Sequence, residues 1–332
     1  MSATLPPPGR ESLRARLARA QVAPLLLDGP TGTQLEARGF QSEPTLWTGR
    51  AAELAPQLLS AIHRDYVAAG AELITANTFR TTAHAAQQAG FDPQQAHGWT
   101  AQAVQLARRA TRGDRAAWVL GSLAPLADCY VPAQTPPDGV LAREHDRHAA
   151  ALLAAGCDGI LIETQVTRRE SVHAVRAAAG RGAAAILVSF LPASDGMHLL
   201  GGDALIDAAR DCVAAGADAL LVNCADVDVL RRALDVCAAG SLAVPLGAYP
   251  NAARRHGTPG RYIWEPDPAS CGADGVATWT RALRDAGAAI LGACCGFGPA
   301  DTRAMAAALH KPARAVHPEG GLAGGTTNEE RS

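Results

Sequence analysis

The sequence predicts an α/β fold, a (β/α)8 TIM barrel, from two observations. Short apolar runs alternate along the chain with segments whose apolar residues recur at helical spacing, and such alternation is typical of parallel strands joined by right-handed crossovers. There are eight such units, the number that closes a barrel. The predicted strands are 24–28, 72–79, 118–125, 159–164, 185–190, 219–224, 242–250 and 288–294. The clearest predicted helices are 54–69, 94–112, 141–155 and 203–215.

A short motif repeats before every second predicted strand. Ala-Ala-Gly followed by a small residue and an acid occurs at 68–72, 154–158 and 214–218, with a looser copy at 285–288. Glycine readily takes the left-handed conformation that ends a helix, so each copy predicts a helix end followed by a turn into the sheet. Such repeats could also arise by chance from an Ala- and Gly-rich composition, but their regular spacing before every second predicted strand favours the barrel.

A single barrel accounts for most of the chain. We predict an N-terminal extension at 1–20, the barrel at 21–311 and a disordered, glycine-containing tail at 312–332. The arginine-rich N-terminus has no apolar signal-peptide core, so it predicts a short solvated helix. Residues 251–273 lack periodicity and predict a long loop after the seventh strand, where barrel loops usually carry function.

The composition excludes several classes of function. The 332 residues are 48% hydrophobic, and a net charge of −2 provides no basic face for nucleic acid or an anionic membrane. No run approaches the about 18 apolar residues of a spanning helix, so we expect a cytoplasmic protein without nucleic-acid or membrane partners. The only lysine is Lys311, beyond the last predicted strand. A Schiff-base aldolase or a Walker-type phosphate site therefore has no lysine to use.

Three cysteines fall where barrel enzymes carry their chemistry. Cys224 ends the sixth predicted strand, and Cys294 and Cys295 end the eighth, at the catalytic face of a barrel. The two strands belong to the same alternate set, and the flanking glycines allow a turn that points both adjacent cysteines inward. Three thiolates without an evident fourth protein ligand are typical of a catalytic zinc with one open position. Taken alone, the pattern fits three buried apolar cysteines equally well.

Two other groups of residues are interpreted as structural. Cys212 and Cys237 lie inside predicted helices and are expected in the core. His145 and His148 are three residues apart, a spacing that can suit a metal, but charged residues surround them. That pattern predicts a solvated helix face.

Beyond these patterns, a series of motifs resembles the homocysteine S-methyltransferase family, in that family's order. The similarity spans about residues 22–310, and a double cysteine after a Val-Asn-Cys strand end is specific to the family. Pro30 and Ala293 depart from the family pattern, which usually has small residues there, often glycine. The motifs lie at 28–35 (Asp-Gly-Pro-Thr-Gly-Thr-Gln-Leu), 46–47, 75–79, 121–125, 162–164, 223–224, 249–251 and 292–299.

The resemblance implies an enzyme with homocysteine and a small methyl donor as partners and zinc (Zn2+) as cofactor. Cys224, Cys294 and Cys295 would hold the zinc, which activates the homocysteine thiol. Glu163 would take the amino group, and the amides after Asp28 the carboxylate. Structural alternatives remain for both: an ion pair between Glu163 and an arginine such as Arg168, and capping of the following turn by Asp28. The implied substrate-binding set is Asp28, Thr31, Gly32, Thr75, Asn77, Glu163 and Asn223.

The family's members use S-methylmethionine, S-adenosylmethionine, betaine or a cobalamin-bound methyl group as donor. Phe297, after the second cysteine, resembles the betaine branch, but Thr164 stands where that branch has a tyrosine. We therefore predict a sulfonium donor, with a betaine-type donor as the alternative. A phosphate-binding barrel isomerase or lyase without zinc, and a non-catalytic zinc protein, are the alternatives of other classes. Aromatic candidates for contact with a cationic donor, each equally suited to packing, are Trp47, Phe79, Tyr130 and Trp264.

Overall fold

A computed structural model of the chain describes residues 11–112, 117–258, 261–266 and 271–310. Eight parallel strands form a single sheet, and a bridge between Leu27 and Leu73 joins the first strand to the second, so the predicted (β/α)8 TIM barrel is confirmed. The barrel strands are β1 (Leu25–Leu26), β2 (Leu73–Ala76), β3 (Trp118–Leu123), β4 (Gly159–Gln165), β5 (Ile186–Phe190), β6 (Ala219–Asn223), β7 (Leu246–Tyr249) and β10 (Ala288–Leu291). Around the barrel their order is β1-β10-β7-β6-β5-β4-β3-β2.

Most of the helices lie between these strands and cover the outside of the sheet, whereas α1 precedes the first strand and α12 follows the last. They are α1 (Leu13–Ala18), α2 (Thr31–Ala37), α3 (Ala51–Leu54), α4 (Pro56–Ala69), α5 (Ala83–Gln88), α6 (Gln95–Ala110), α7 (Asp138–Ala155), α8 (Arg168–Gly180), α9 (Leu205–Ala215), α10 (Val227–Ala239), α11 (Ala273–Asp285) and α12 (Pro299–His310). None of the described helices is both long and apolar enough to cross a bilayer.

The repeated glycines end their helices as predicted. Gly70, Gly156 and Gly216 follow α4, α7 and α9 with φ of 108°, 88° and 116°, and Gly287 has φ 99° just before β10. Residues other than glycine rarely adopt a positive φ. Each glycine therefore lets the chain leave a helix and enter the next strand within a few residues.

Helix α1 closes the N-terminal end of the barrel. Leu13 and Leu17 are buried in the same apolar cluster as the inward-facing leucines of the strands. Gly159 begins β4 with so little room that an added Cβ would lie 2.9 Å from Leu13. The N-terminal segment thus contains the predicted helix, but one of its faces is buried rather than solvated. With this end filled, the open end of the barrel is the C-terminal one.

The predicted long loop at 251–273 is wrong in one respect. Residues of this segment form an antiparallel hairpin of β8 (Ala253–Thr258) and β9 (Arg261–Pro266), in which His256 pairs with Ile263. The Pro-Gly pair at 259–260 is a turn signal in the sequence that favours a hairpin. The predicted tail at 312–332 and Lys311 lie outside the described residues.

The predicted solvated face at His145 and His148 is also wrong. Both are buried on the face of α7 that carries Leu141 and Leu152, since residues three, four and seven apart share one side of a helix. Nε2 of His145 lies 3.0 Å from a Glu170 carboxylate oxygen. Burial lowers the pKa of His148 to about 4, so this histidine is neutral. These two histidines therefore have a structural role inside the protein. Cys212 and Cys237 are buried in the core as predicted.

Candidate active site

A cavity of about 1170 Å3 opens at the C-terminal end of the barrel. Its walls come from residues that follow β1, β2 and β3, from the ends of β4 and β7, and from the turns after β6 and β10. This is the end at which barrel enzymes place their catalytic residues. The cavity is far larger than a single amino acid needs, so it has room for two substrates side by side.

Three thiols converge at the inner end of this cavity. The Sγ atoms of Cys224, Cys294 and Cys295 all lie within 4.8 Å of one another, with 2.6 Å between Cys224 and Cys294 and 4.0 Å between Cys294 and Cys295. A tetrahedral zinc with Zn–S bonds of about 2.3 Å separates its sulfurs by about 3.8 Å, which falls within this spread. No other group of potential ligands of this kind occurs in the described part of the chain. The cluster could therefore hold a metal through three ligands and leave one position open.

Backbone geometry at two strand ends brings the thiols together. Cys224 follows β6 with φ 57°, which takes it out of the extended strand. Strand β10 ends at Leu291, so Cys294 and Cys295 lie in a turn, where the alternation of strand side chains no longer applies. Gly296 continues this turn with φ 88°. Both adjacent cysteines can thus face the cavity, as the flanking glycines predicted.

Charge within the cluster is concentrated on one sulfur. Hydrogen bonds with Cys224 and Cys295 hold the pKa of Cys294 well below its ordinary value. Cys224 donates its own proton to Cys294, which keeps the pKa of Cys224 well above its ordinary value. The thiols therefore stabilise a negative charge at Cys294, which favours a cation at this place.

Glu163 is a half-buried carboxylate at the same end of the cavity. The hydroxyl of Ser122 donates to its Oε1. Burial and, to a smaller extent, the negative charge at Cys294 together raise the pKa of Glu163 to about 7. The alternative of an ion pair with Arg168 is wrong, because Nε of that arginine donates to Asp211 at 2.7 Å. Glu163 is thus available to a cationic group in the cavity.

Asp28 connects the first two strands of the barrel. Its carboxylate accepts the backbone N–H of Thr75 at 2.8 Å and the hydroxyl of Thr75 at 3.0 Å. Burial raises the pKa of Asp28 well above its ordinary value, and the bonds from Thr75 partly offset this. The hydrogen bonds of Asp28 therefore go to β2, not to the turn that follows it.

Most of the predicted site residues line the cavity. Asn77 lines the cavity, and its side-chain Nδ2 also donates to the Thr48 carbonyl oxygen at 2.8 Å. Asn223 is buried and does not line the cavity, and Trp264 belongs to β9, with a side chain outside the described atoms. The predicted residues on the cavity wall are Asp28, Thr31, Gly32, Trp47, Thr75, Asn77, Phe79, Tyr130, Glu163, Cys224, Cys294 and Cys295.

Aromatic side chains form part of the outer wall. The indole N–H of Trp47 donates to Glu36 at 2.9 Å, and the ring meets Phe79 edge-on at 6.1 Å. The Trp47 ring also covers Gly32, where an added Cβ would strike it. These contacts hold the indole flat against the start of α2, with Glu36 beside it at the cavity surface.

The hairpin completes the other side of this wall. The Tyr262 hydroxyl, on β9, donates to Asp128 at 2.7 Å, in the segment after β3. The rings of Tyr130 and Tyr262 lie 4.8 Å apart in a T-shaped arrangement. The segment after β7, which was predicted to carry function, thus contributes to the cavity.

Several residues of the site received no role from the sequence. Ser122 and Tyr249 lie in recognised motifs, and strand-end positions at the catalytic face were the signal available for both. Glu36 and Asp128 lie outside the recognised motifs. Their contributions depend on where the loops fold, which no local pattern in the sequence indicates.

Comparisons with known proteins agree with this site. Residues 25–309 match the family model described as homocysteine S-methyltransferase. The homocysteine S-methyltransferase of Escherichia coli K12 is 30% identical over 322 residues, covering 89% of this chain and 97% of the relative. Homocysteine S-methyltransferase 4 of Zea mays is 26% identical, covering 86% of this chain and 89% of the relative.

Solved structures give the same result. The oxidized form of the homocysteine methyltransferase MmuM from Escherichia coli superposes with a TM-score of 0.76 at 27% identity, covering 90% of this chain and 99% of that one. The metallated form of MmuM gives a TM-score of 0.72 at 26% identity, covering 85% and 95% of the two chains. The alternatives of a phosphate-binding isomerase or lyase and of a non-catalytic protein receive no support. The family model covers nearly the whole barrel, and the chain belongs to the homocysteine S-methyltransferase family as an enzyme.

Proposed function

We propose that the protein transfers a methyl group from a sulfonium donor, S-methylmethionine or S-adenosylmethionine, to homocysteine, and that Cys224, Cys294 and Cys295 hold zinc for this reaction. The observation that carries the proposal is the convergence of three thiols, with one position open, beside the half-buried Glu163. Bound zinc would supply deprotonation of the acceptor thiol, whose pKa of about 8.5 leaves it mostly protonated at neutral pH.

The inner end of the cavity fits the amino-acid part of homocysteine. Ser122 donates to one oxygen of Glu163, so the carboxylate has a fixed orientation toward an incoming ammonium group. Thr31 and Gly32 begin α2, and the first N–H groups of a helix have no partner within it, so they can donate to the substrate carboxylate. Asp28 fixes the segment that carries these N–H groups by bonding Thr75 on β2. The acceptor is thus held at both ends of its backbone.

The outer half of the cavity favours a donor with net positive charge. Among its described lining residues it has three carboxylates, Glu36, Glu43 and Asp128, of which Glu43 is paired with Arg50, and a single guanidinium, that of Arg80, so its net charge stays negative. Arg80 donates to two carbonyl oxygens of the segment after β3, at 3.1 Å and 2.9 Å, and is already engaged. S-methylmethionine and S-adenosylmethionine carry net charge +1, whereas betaine is a neutral zwitterion. The charge balance therefore supports the sulfonium donors.

The one feature that resembles the betaine branch has a packing role. Phe297 is buried, and its ring lies 5.4 Å from that of Trp279 on α11. It is absent from the cavity lining. Its presence after the second cysteine therefore does not argue for betaine.

A panel of donors tests the proposal directly. Methionine formation from homocysteine is measured with S-methylmethionine, S-adenosylmethionine and betaine at equal concentration, after zinc per chain has been determined. We expect one zinc per chain and a faster reaction with at least one sulfonium than with betaine. A faster reaction with betaine than with either sulfonium would reverse the donor assignment, and absence of zinc would contradict the metal assignment.

Glu36 provides a second test of the donor site. Glu36→Gln removes a negative charge but keeps an oxygen that can accept the Trp47 indole N–H. We expect the KM for the sulfonium donor to rise about two- to fivefold, the usual range for a partly exposed charge pair, and the KM for homocysteine to stay unchanged.

Glu53 is the matched control for this substitution. It accepts the indole N–H of Trp99 at 3.0 Å in the same way but does not line the cavity. Glu53→Gln should leave both KM values unchanged. An equal rise in the donor KM in the two variants would mean that the charge of Glu36 has no specific effect on the donor.

A further inference from the structure

A buried chain of hydrogen bonds crosses three strands next to the thiols. Asn223, the last residue of β6, donates from Nδ2 to the hydroxyl of Thr164 on β4 at 2.9 Å. Its Oδ1 accepts the hydroxyl of Ser189 on β5 at 2.7 Å. Thr164 is 2% exposed, and the other two side chains are fully buried. The Asn223 amide is therefore held on both sides and cannot rotate without breaking a buried bond.

Two strained residues adjoin Asn223, the middle residue of this chain of bonds. Thr164 and Cys224 have φ of 60° and 57°, in the left-handed region. This region is an outlier for a β-branched residue such as threonine, and such a conformation costs about 1–3 kcal/mol and persists only where the surroundings enforce it. Asn223 is bonded to Thr164 through its side chain and to Cys224 through the peptide bond, so it connects the two strained positions.

Cys224 is also held from the strand on its other side. The backbone N–H of Cys224 meanwhile donates to the Tyr249 carbonyl oxygen on β7 at 3.3 Å. Cys224 is thus positioned through Asn223 on one side and β7 on the other, and neither Asn223 nor Ser189 lines the cavity.

We propose that Thr164, Asn223 and Ser189 are positioning residues of the metal site, which fix Cys224 in place before the metal binds. This inference rests on the proposed function, because it takes zinc as the ion that the thiols hold. It assigns Asn223 to the support of Cys224 rather than to the substrate. Partners that orient metal ligands typically contribute a factor of about 10 to 100 in metal affinity.

Thr164 allows a closely matched pair of substitutions. Thr164→Val keeps the shape, the β-branching and hence the backbone strain, but has no oxygen to accept Nδ2 of Asn223. Thr164→Ser keeps the hydroxyl. The reduced, zinc-free full-length chain is titrated with zinc against a chromophoric chelator. We expect the affinity for zinc to fall about 10- to 100-fold in Thr164→Val and to stay close to wild type in Thr164→Ser.

Thr280→Val controls for the loss of a buried hydroxyl elsewhere. Thr280 is fully buried in α11, and its hydroxyl donates to the Val276 carbonyl oxygen at 2.6 Å. This variant should keep wild-type zinc affinity. Thermal unfolding of each zinc-free variant shows whether it is folded, and Ser189→Ala, which removes the bond to Oδ1 of Asn223, replaces Thr164→Val if the latter does not fold.

The outcomes separate the two proposals. A wild-type chain that binds zinc, with a Thr164→Val variant of equal affinity, overturns the positioning role and leaves the proposed function intact. Equal losses of zinc affinity in Thr164→Val and Thr280→Val overturn it as well, because the effect would then be one of general stability. A wild-type chain that binds no zinc overturns the proposed function and this inference with it.

Discussion

Replacing Cys224, Cys294 or Cys295 with alanine is expected to remove zinc from the purified protein and to abolish methyl transfer. Each variant deletes one of only three candidate ligands. Thiolate zinc sites bind with about 10–16 kcal/mol in total, so one ligand of four accounts for about 3–4 kcal/mol, or a factor of about 100 to 1000 in affinity. Zinc per chain and the rate of methionine formation should fall together, the rate by at least about 100-fold.

The other buried cysteines supply the control. Cys237 is 2% exposed in α10 and belongs to the core, remote from the three thiols. Cys237→Ala removes a buried thiol of the same kind and should retain one zinc and nearly full activity. Full zinc occupancy in Cys224→Ala, or equal losses of zinc in Cys224→Ala and Cys237→Ala, would contradict the metal site.

The barrel could be predicted from the sequence because parallel strands are buried on both faces and therefore read as apolar runs. All eight predicted strands overlap the observed ones, and the differences lie at their ends. The eighth, predicted at 288–294, ends at Leu291, because the small and apolar residues continue into the turn that carries the cysteines. Apolar patterning finds the strand but does not show where the backbone stops being extended.

The buried histidines show a different limit. The charged neighbours of His145 and His148 predicted solvent exposure, yet only Arg143 and Arg147 among them are exposed, and Glu144 is buried with the histidines. The partner of His145 is Glu170, 25 residues away on α8. Burial of a polar residue depends on such partners, and nothing in the local sequence identifies them.

The candidate site was predictable as a set of residues but not as a set of roles. The recognised motifs contain most of the cavity wall, because barrel chemistry lies at strand ends. Asn223 was assigned to the substrate, whereas its amide bonds Thr164 and Ser189. Those bonds depend on the register between three neighbouring strands, and a single strand-end motif carries no information on register.

The second large effect is expected at Glu163. Glu163→Gln removes the negative charge that faces the inner cavity, while an amide oxygen can still accept the Ser122 hydroxyl. A hydrogen bond to a charged group contributes about 1.5–3 kcal/mol, so the KM for homocysteine should rise about 10- to 100-fold. Zinc per chain and the KM for the methyl donor should be unchanged, which separates this effect from damage to the site. An unchanged KM for homocysteine would return Glu163 to a structural role.

The pH dependence of stability tests the burial of the same carboxyl group. Burial raises the pKa of Glu163 to about 7, from an ordinary value of about 4.3, so between these values the folded protein holds a proton that the unfolded chain releases. Stability is therefore lost as pH rises through this window, by about 4 kcal/mol at most once pH exceeds 7. Glu163→Gln carries no such proton, and groups that titrate equally in both proteins cancel in the difference. We expect the Tm of the variant minus that of wild type, both measured without homocysteine, to increase from pH 5 to pH 8. Saturating homocysteine should make this change in the Tm difference smaller, because its ammonium group would stabilise the ionised carboxylate of the wild type. A Tm difference that does not depend on pH would show that Glu163 is ionised throughout this range.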